Sequence, residues 1–173
     1  MNYIKKLTFL KKQITFLILV ILINGKIFAQ NTELKTKTDS NWIEYVVPSF
    51  MIDITDYDEF VSPHYKRFDY ASKDEKVKIF VLINFSDKYI FKLRENYLAD
   101  IKNKELKLEY KKLLPNKYFI SGNLTNGNIL YKFSYEKDGY GYTYEIEYDK
   151  TYAGFFNKNI NDIIKGFRIL QLL

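Results

Sequence analysis

Apolar and polar residues alternate with a period of two over much of this chain, and that pattern predicts most of its strands. Trp42-Ile43-Glu44-Tyr45-Val46-Val47 reads as a first strand that Pro48 ends, and Phe50 to Ile54 as a short second one. Tyr65 to Ala71 continues the series. In Val77 to Phe85 the residues Val77, Ile79, Val81, Ile83 and Phe85 fill one face while Phe80 and Leu82 make the other apolar, the pattern of a central strand covered on both sides. Four further strands follow: Glu105 to Leu113, Tyr118 to Leu124, Ile129 to Glu136 and Tyr142 to Tyr148. Pro115-Asn116, Asn126-Gly127 and Asp138-Gly139 mark the turns of an antiparallel meander, and Asn126-Gly127 suits the positive φ angles of a type I′ turn.

The period lengthens to that of a helix twice. Ile90, Leu93, Tyr97, Leu98 and Ile101 form one side of a predicted helix over 88–103, with Ser86 or Asp87 as its cap. Tyr152, Phe156, Ile160, Ile163, Ile164 and Phe167 form the stripe of a second, over 152–166, which Gly166 is placed to end. Strands in sequence with two helices define an α+β fold, a mainly antiparallel twisted sheet packed by two principal helices.

The N-terminal region breaks both periods. Lys5, Lys6, Lys11 and Lys12 precede an apolar run from Ile14 to Ile23, and Ile27-Phe28-Ala29-Gln30 follows, so residues 1–29 read as a signal peptide cut between Ala29 and Gln30. The run is roughly half the 20 apolar residues that a membrane span requires, so no stable span is expected after cleavage. Residues 30–41 are polar apart from Leu34 and read as a flexible leader, with a single domain over 42–170.

That segmentation changes the meaning of the charge. The whole chain carries +6, but removing Lys5, Lys6, Lys11, Lys12 and Lys26 leaves 22 basic against 21 acidic residues, which takes away the main argument for a nucleic-acid partner. The absence of cysteine excludes disulfides, thiolate metal sites, thiol nucleophiles and a lipid-bearing N-terminal cysteine. The 16 Tyr and 14 Phe favour strands, where aromatic side chains fit the pleated surface.

The runs Tyr118-Phe119-Ile120-Ser121-Gly122, Gly127-Asn128-Ile129-Leu130-Tyr131 and Tyr144-Glu145-Ile146-Glu147-Tyr148, with a closing helix that ends Ile163-Ile164-Lys165-Gly166-Phe167, are similar to small exported bacterial domains. These resemble the PsbP-like α/β/α sandwich, named for an extrinsic subunit of the photosynthetic water-oxidising complex. The resemblance spans most of Trp42 to Ile169 and implies that fold, together with a non-enzymatic binding or accessory role. It carries over no catalytic or binding residue.

Residue chemistry offers few sites. His64 is the sole histidine and follows Pro63 at a loop boundary, where a surface imidazole is expected. Asp53, Asp56, Asp58 and Glu59 supply hard oxygen ligands without the spacing of an EF-hand, so a solvated loop is expected. Glu145 and Glu147 lie roughly 7 Å apart by strand rise, a separation glycoside hydrolysis can use, but a polar outer face gives the same pattern. Tyr131, Phe133, Tyr135, Tyr142 and Tyr144 share a face. They either pack under the closing helix, the favoured reading, or stay exposed and grip a protein or glycan partner. No phosphate loop, dinucleotide motif or His-Glu-x-x-His element occurs, and no cofactor or metal is called for. The leading expectation is a periplasmic or secreted binding module without catalysis. The alternatives are a carboxylate-based hydrolase of an envelope or extracellular polymer, and a structural part of a larger complex.

Overall fold

The computed structural model describes residues 33–39, 42–56, 64–84 and 92–170, so the expected signal peptide, its cleavage bond and the capping residues Ser86 and Asp87 lie outside the described residues. The order is β1 (Leu34–Asp39), β2 (Ile43–Pro48), β3 (Met51–Asp53), β4 (Tyr65–Ser72), β5 (Val77–Asn84), α1 (Leu93–Asp100), β6 (Leu106–Leu114), β7 (Lys117–Leu124), β8 (Ile129–Lys137) and β9 (Tyr140–Tyr148). A 3-10 turn (Lys150–Tyr152), α2 (Ala153–Gly166) and β10 (Arg168–Ile169) complete it. The fold is α+β with antiparallel pairing: a seven-stranded sheet ordered β3-β4-β5-β9-β8-β7-β6 and a three-stranded sheet ordered β1-β2-β10.

The main core lies on the inner face of the large sheet. Val77, Ile79, Val81 and Ile83 of β5 meet Tyr142, Tyr144, Ile146 and Tyr148 of β9, and Ile43, Tyr45 and Val47 of β2 with Phe156, Ile160 and Ile163 of α2 close over them. The cover on this face is therefore a helix and a small sheet together, where the sequence suggested helices alone. Tyrosines enter this core because their hydroxyls find partners: Tyr45 and Tyr70 share a hydrogen bond of 2.8 Å, and Tyr144 donates to the Val46 carbonyl. Where α2 ends, Gly166 lies against Val46, and a β-carbon there would collide with the Val46 side chain. On the outer face a smaller cluster seats Leu93 of α1 against Leu106, Tyr118, Ile120 and Leu130, with Tyr97 and Ile101 beside them.

Three expectations need correction. The polar stretch within 30–41 is not all leader: Leu34–Asp39 pairs in register with Ile43–Pro48 as a strand. Its side chains are mostly exposed, so main-chain hydrogen bonding holds it, with support from an ion pair of 3.2 Å between Lys66 and Asp39. Composition does not register such a strand. The tight two-residue turn is not at Asn126-Gly127, where only Gly127 has positive φ; it is at Asp138-Gly139, with φ of 54° and 82°, between the paired Lys137 and Tyr140. The first helix is shorter than predicted, running from Leu93 to Asp100 with no side-chain cap at Lys92.

Candidate functional site

Antiparallel partners share a face, so the register across β6, β7, β8 and β9 locates every side chain on the inner surface. One row runs Lys112, Phe119, Phe133, Tyr144; a second runs Tyr110, Ser121, Tyr131, Ile146; a third runs Leu114, Lys117, Tyr135, Tyr142. Cover falls away from β9 towards β6, with the buried Ser121 as an exception. Tyr144, Phe133 and Tyr142 are buried, at 0%, 2% and 3% exposure, whereas Tyr131, Tyr135 and Phe119 are half-buried and Tyr110 is 51% exposed.

The five aromatic residues singled out in the sequence therefore divide. Phe133, Tyr142 and Tyr144 belong to the core, which removes them as partner contacts: Phe133 stacks on Tyr144 with centroids 5.1 Å apart, and Phe167 meets both edge-on. Burial pushes the Tyr142 phenol up to about 12, with smaller contributions from Asp138 and Tyr140, so it stays neutral. Tyr131 and Tyr135 instead border the uncovered end of the sheet, each with one ring face taken, by Tyr148 and Phe167 respectively. Sequence reasoning missed Tyr110 and Phe119, which extend the surface. Tyr110 was read on the opposite phase because a bulge between Leu108 and Tyr110 shifts it onto the inner face.

The result is a shelf in which buried Ser121 lies between Tyr110 and Tyr131 on neighbouring strands. Lys117 sits over the rings of Phe119 and Tyr135, 5.9 and 5.4 Å from their centroids. At the bulge the Asn123 amide donates to Glu109. Such a surface combines flat apolar faces, hydroxyl tips and cations. Its chemistry among the described residues is that of contact.

The carboxylates of the rival expectation lie on the outer face. Glu145, expected in solvent, is only 22% exposed, and Lys132 bridges it at 3.6 Å to Asp100 at 2.9 Å. Burial raises the Glu145 carboxyl, and Lys132 offsets only part of that rise. Asp100 also accepts from the Tyr118 hydroxyl, so the cluster ties the end of α1 to the sheet. Glu147 accepts from the side-chain amides of Asn126 at 3.0 Å and Asn128 at 2.6 Å, which commits it to the turn between β7 and β8. The two glutamates thus serve different structures.

Over 80% of this chain and 93% of the other, the structure is similar to the solution structure of cyanobacterial PsbP (CyanoP) from Synechocystis sp. PCC 6803, with a TM-score of 0.53 and 9% sequence identity. The fold is PsbP-like. No protein-family model matches the sequence, and no curated protein matches it. At that identity the likeness extends to the PsbP-like fold alone.

The remaining features of this PsbP-like domain are less convergent. A cleft of about 630 Å³ at the β3 end is lined by Phe50, Ile52, Ser72, Lys73, Asp74 and Tyr152. Its carboxylate is occupied: Asp74 accepts from Ser72 at 2.6 Å and Tyr152 at 3.1 Å, and these bonds with that from the Lys76 amide outweigh burial and lower its pKa. His64 is exposed just before β4, as expected of a surface imidazole. Asp53 and Asp56 are exposed, Asp58 and Glu59 lie outside the described residues, and no group of potential metal ligands occurs among the described residues. No helix of the described residues is long and apolar enough to cross a membrane.

Proposed function

We propose that this chain is an exported, non-enzymatic accessory module on an α/β/α scaffold, working in the periplasm or outside the cell, and that it holds its partner on the aromatic shelf of β6, β7 and β8. The observation that carries the reading is the set of half-buried and exposed rings at Tyr110, Phe119, Tyr131 and Tyr135, on a face whose other half is sealed by α2. Tyrosine supplies large contact area at low entropic cost and a polar tip that tolerates water, which is why it is enriched at binding surfaces. The signal-like N-terminus supports export.

The test is affinity capture from the native envelope with immobilised wild-type protein and a Tyr110→Ala variant. Retention by the wild type and loss by the variant is the expected result. Equal retention by both would remove the shelf from the function.

A second reading, the carboxylate hydrolase, draws on the raised pKa of Glu145 and on Asp100 across Lys132. It requires polymer turnover by the purified protein that Glu145→Gln abolishes. Unaltered polymer after prolonged incubation would end it.

A further inference from the structure

The lysines around the shelf specify its partner more closely. Lys107 pairs with Asn123, Lys112 with Phe119, Lys117 with Tyr135 and Lys137 with Tyr140, so all four lie on the inner face and are spread along the strands. None of them forms an ion pair among the described residues, in contrast to Lys66, Lys92 and Lys132. On β6, β7 and β8 the acid nearest this face is Glu109, at the bulge, where the Asn123 amide already binds it. A domain close to neutrality overall thus gathers an excess of positive charge, four lysines against Glu109, beside its exposed and half-buried aromatic rings.

Resting on the binding-module reading, we propose that the shelf binds an anionic polysaccharide, laid along the strands between β6 and the rim of the α2 layer. A pyranose ring has a flat C–H face that suits an aromatic ring and a rim of hydroxyls that suits the tyrosine tips. Carboxylate or sulfate groups along the polymer then meet the lysine series. A single-stranded nucleic acid fits less well. Tyr131 and Tyr135 each have one ring face occupied, by Tyr148 and Phe167, so bases cannot be sandwiched as they are on open stacking platforms. A sugar ring needs only one open face, which the 51% exposed Tyr110 retains, whereas Lys117 already stands over the Tyr135 ring. The lysines on β6 also discourage sheet-to-sheet addition at this edge. That role does not account for Lys117 on β7 or Lys137 on β8.

The experiment is affinity electrophoresis of the full chain in native gels containing a polyuronate, a neutral glucan, polyglutamate, single-stranded DNA or no polymer. Migration of each variant is referred to its own polymer-free gel. The expected result is retardation by the polyuronate alone, weakened at least severalfold by Tyr110→Ala and by Lys112→Gln and preserved in Lys78→Gln on the opposite face. Unchanged urea midpoints would show that the variants remain folded. Equal retardation by polyglutamate or DNA overturns the proposal by reducing the shelf to a general cation patch, and equal retardation by neutral glucan overturns its anionic part. If no polysaccharide retards the chain but Tyr110→Ala still loses a captured envelope protein, the glycan inference falls and the binding-module reading stands. If neither effect is seen, both fall.

Discussion

The inner face of the large sheet has two halves, on different strands with the same alternation, and they come to opposite ends. On the β5 and β9 side, Tyr144, Tyr148 and Val81 are buried beneath β2 and α2, Tyr144 in ring contact with Phe133 and Phe167 and Tyr148 stacked on Phe156. On the β6 and β7 side the helix layer stops, and Tyr110, Phe119 and Lys112 stand at the edge of solvent. Alternation states which residues share a face. Only the reach of the covering layer decides whether that face is a core or a surface.

The sharpest way to break this contrast is to truncate on each side of the boundary. Phe156 is fully buried and stacks on Tyr148 at 4.3 Å, so Phe156→Ala is expected to cost about 3–5 kcal/mol in urea unfolding. A loss under about 1 kcal/mol would mean that α2 is not the lid of this core. The junction of the lid is tested by Gly166→Ala, whose new methyl meets Val46; the expected cost is about 1–3 kcal/mol. That cost should shrink in a Val46→Ala background. Undiminished loss there would place the strain elsewhere.

The outer face gives a smaller, pH-dependent effect. The Glu145 pKa is raised by folding, so its contribution to stability is present below the ordinary carboxylate range and is lost as pH rises through the higher folded value. Glu145→Gln removes that loss. The urea midpoint of the variant relative to wild type is therefore expected to improve between about pH 4 and pH 7, the range above the ordinary glutamate value. A relative midpoint that falls over this range would show that the bond to Lys132 dominates instead. The smallest effect belongs to Tyr110→Ala on the open half, expected within about 0.5 kcal/mol of wild type.

Much of the fold was legible because its signals are local. The apolar stripe of Phe156, Ile160 and Ile163 and the alternation of β5 and β9 report burial directly, and the structure places them where periodicity does. β1 was illegible because an edge strand held by main-chain bonds leaves no apolar trace in Lys35, Thr36, Lys37 and Thr38. The shelf was half legible. Tyr131 and Tyr135 were found by phase, but Tyr110 was not, since one bulged residue reverses the face of everything beyond it. The division of Glu145 from Glu147 depended on Lys132 and on two asparagines in a turn, long-range neighbours that spacing along one strand does not reveal.

The small sheet joins residues from opposite ends of the described chain: β2 is flanked by β1 before it and by β10 after α2. Arg168 and Ile169 must arrive before Glu44 and Ile43 gain their second neighbour, so everything from β3 through α2 intervenes before this strand is enclosed. Such closure by a segment distant along the chain delays completion of the native state, because β2 stays an open edge until β10 pairs with it.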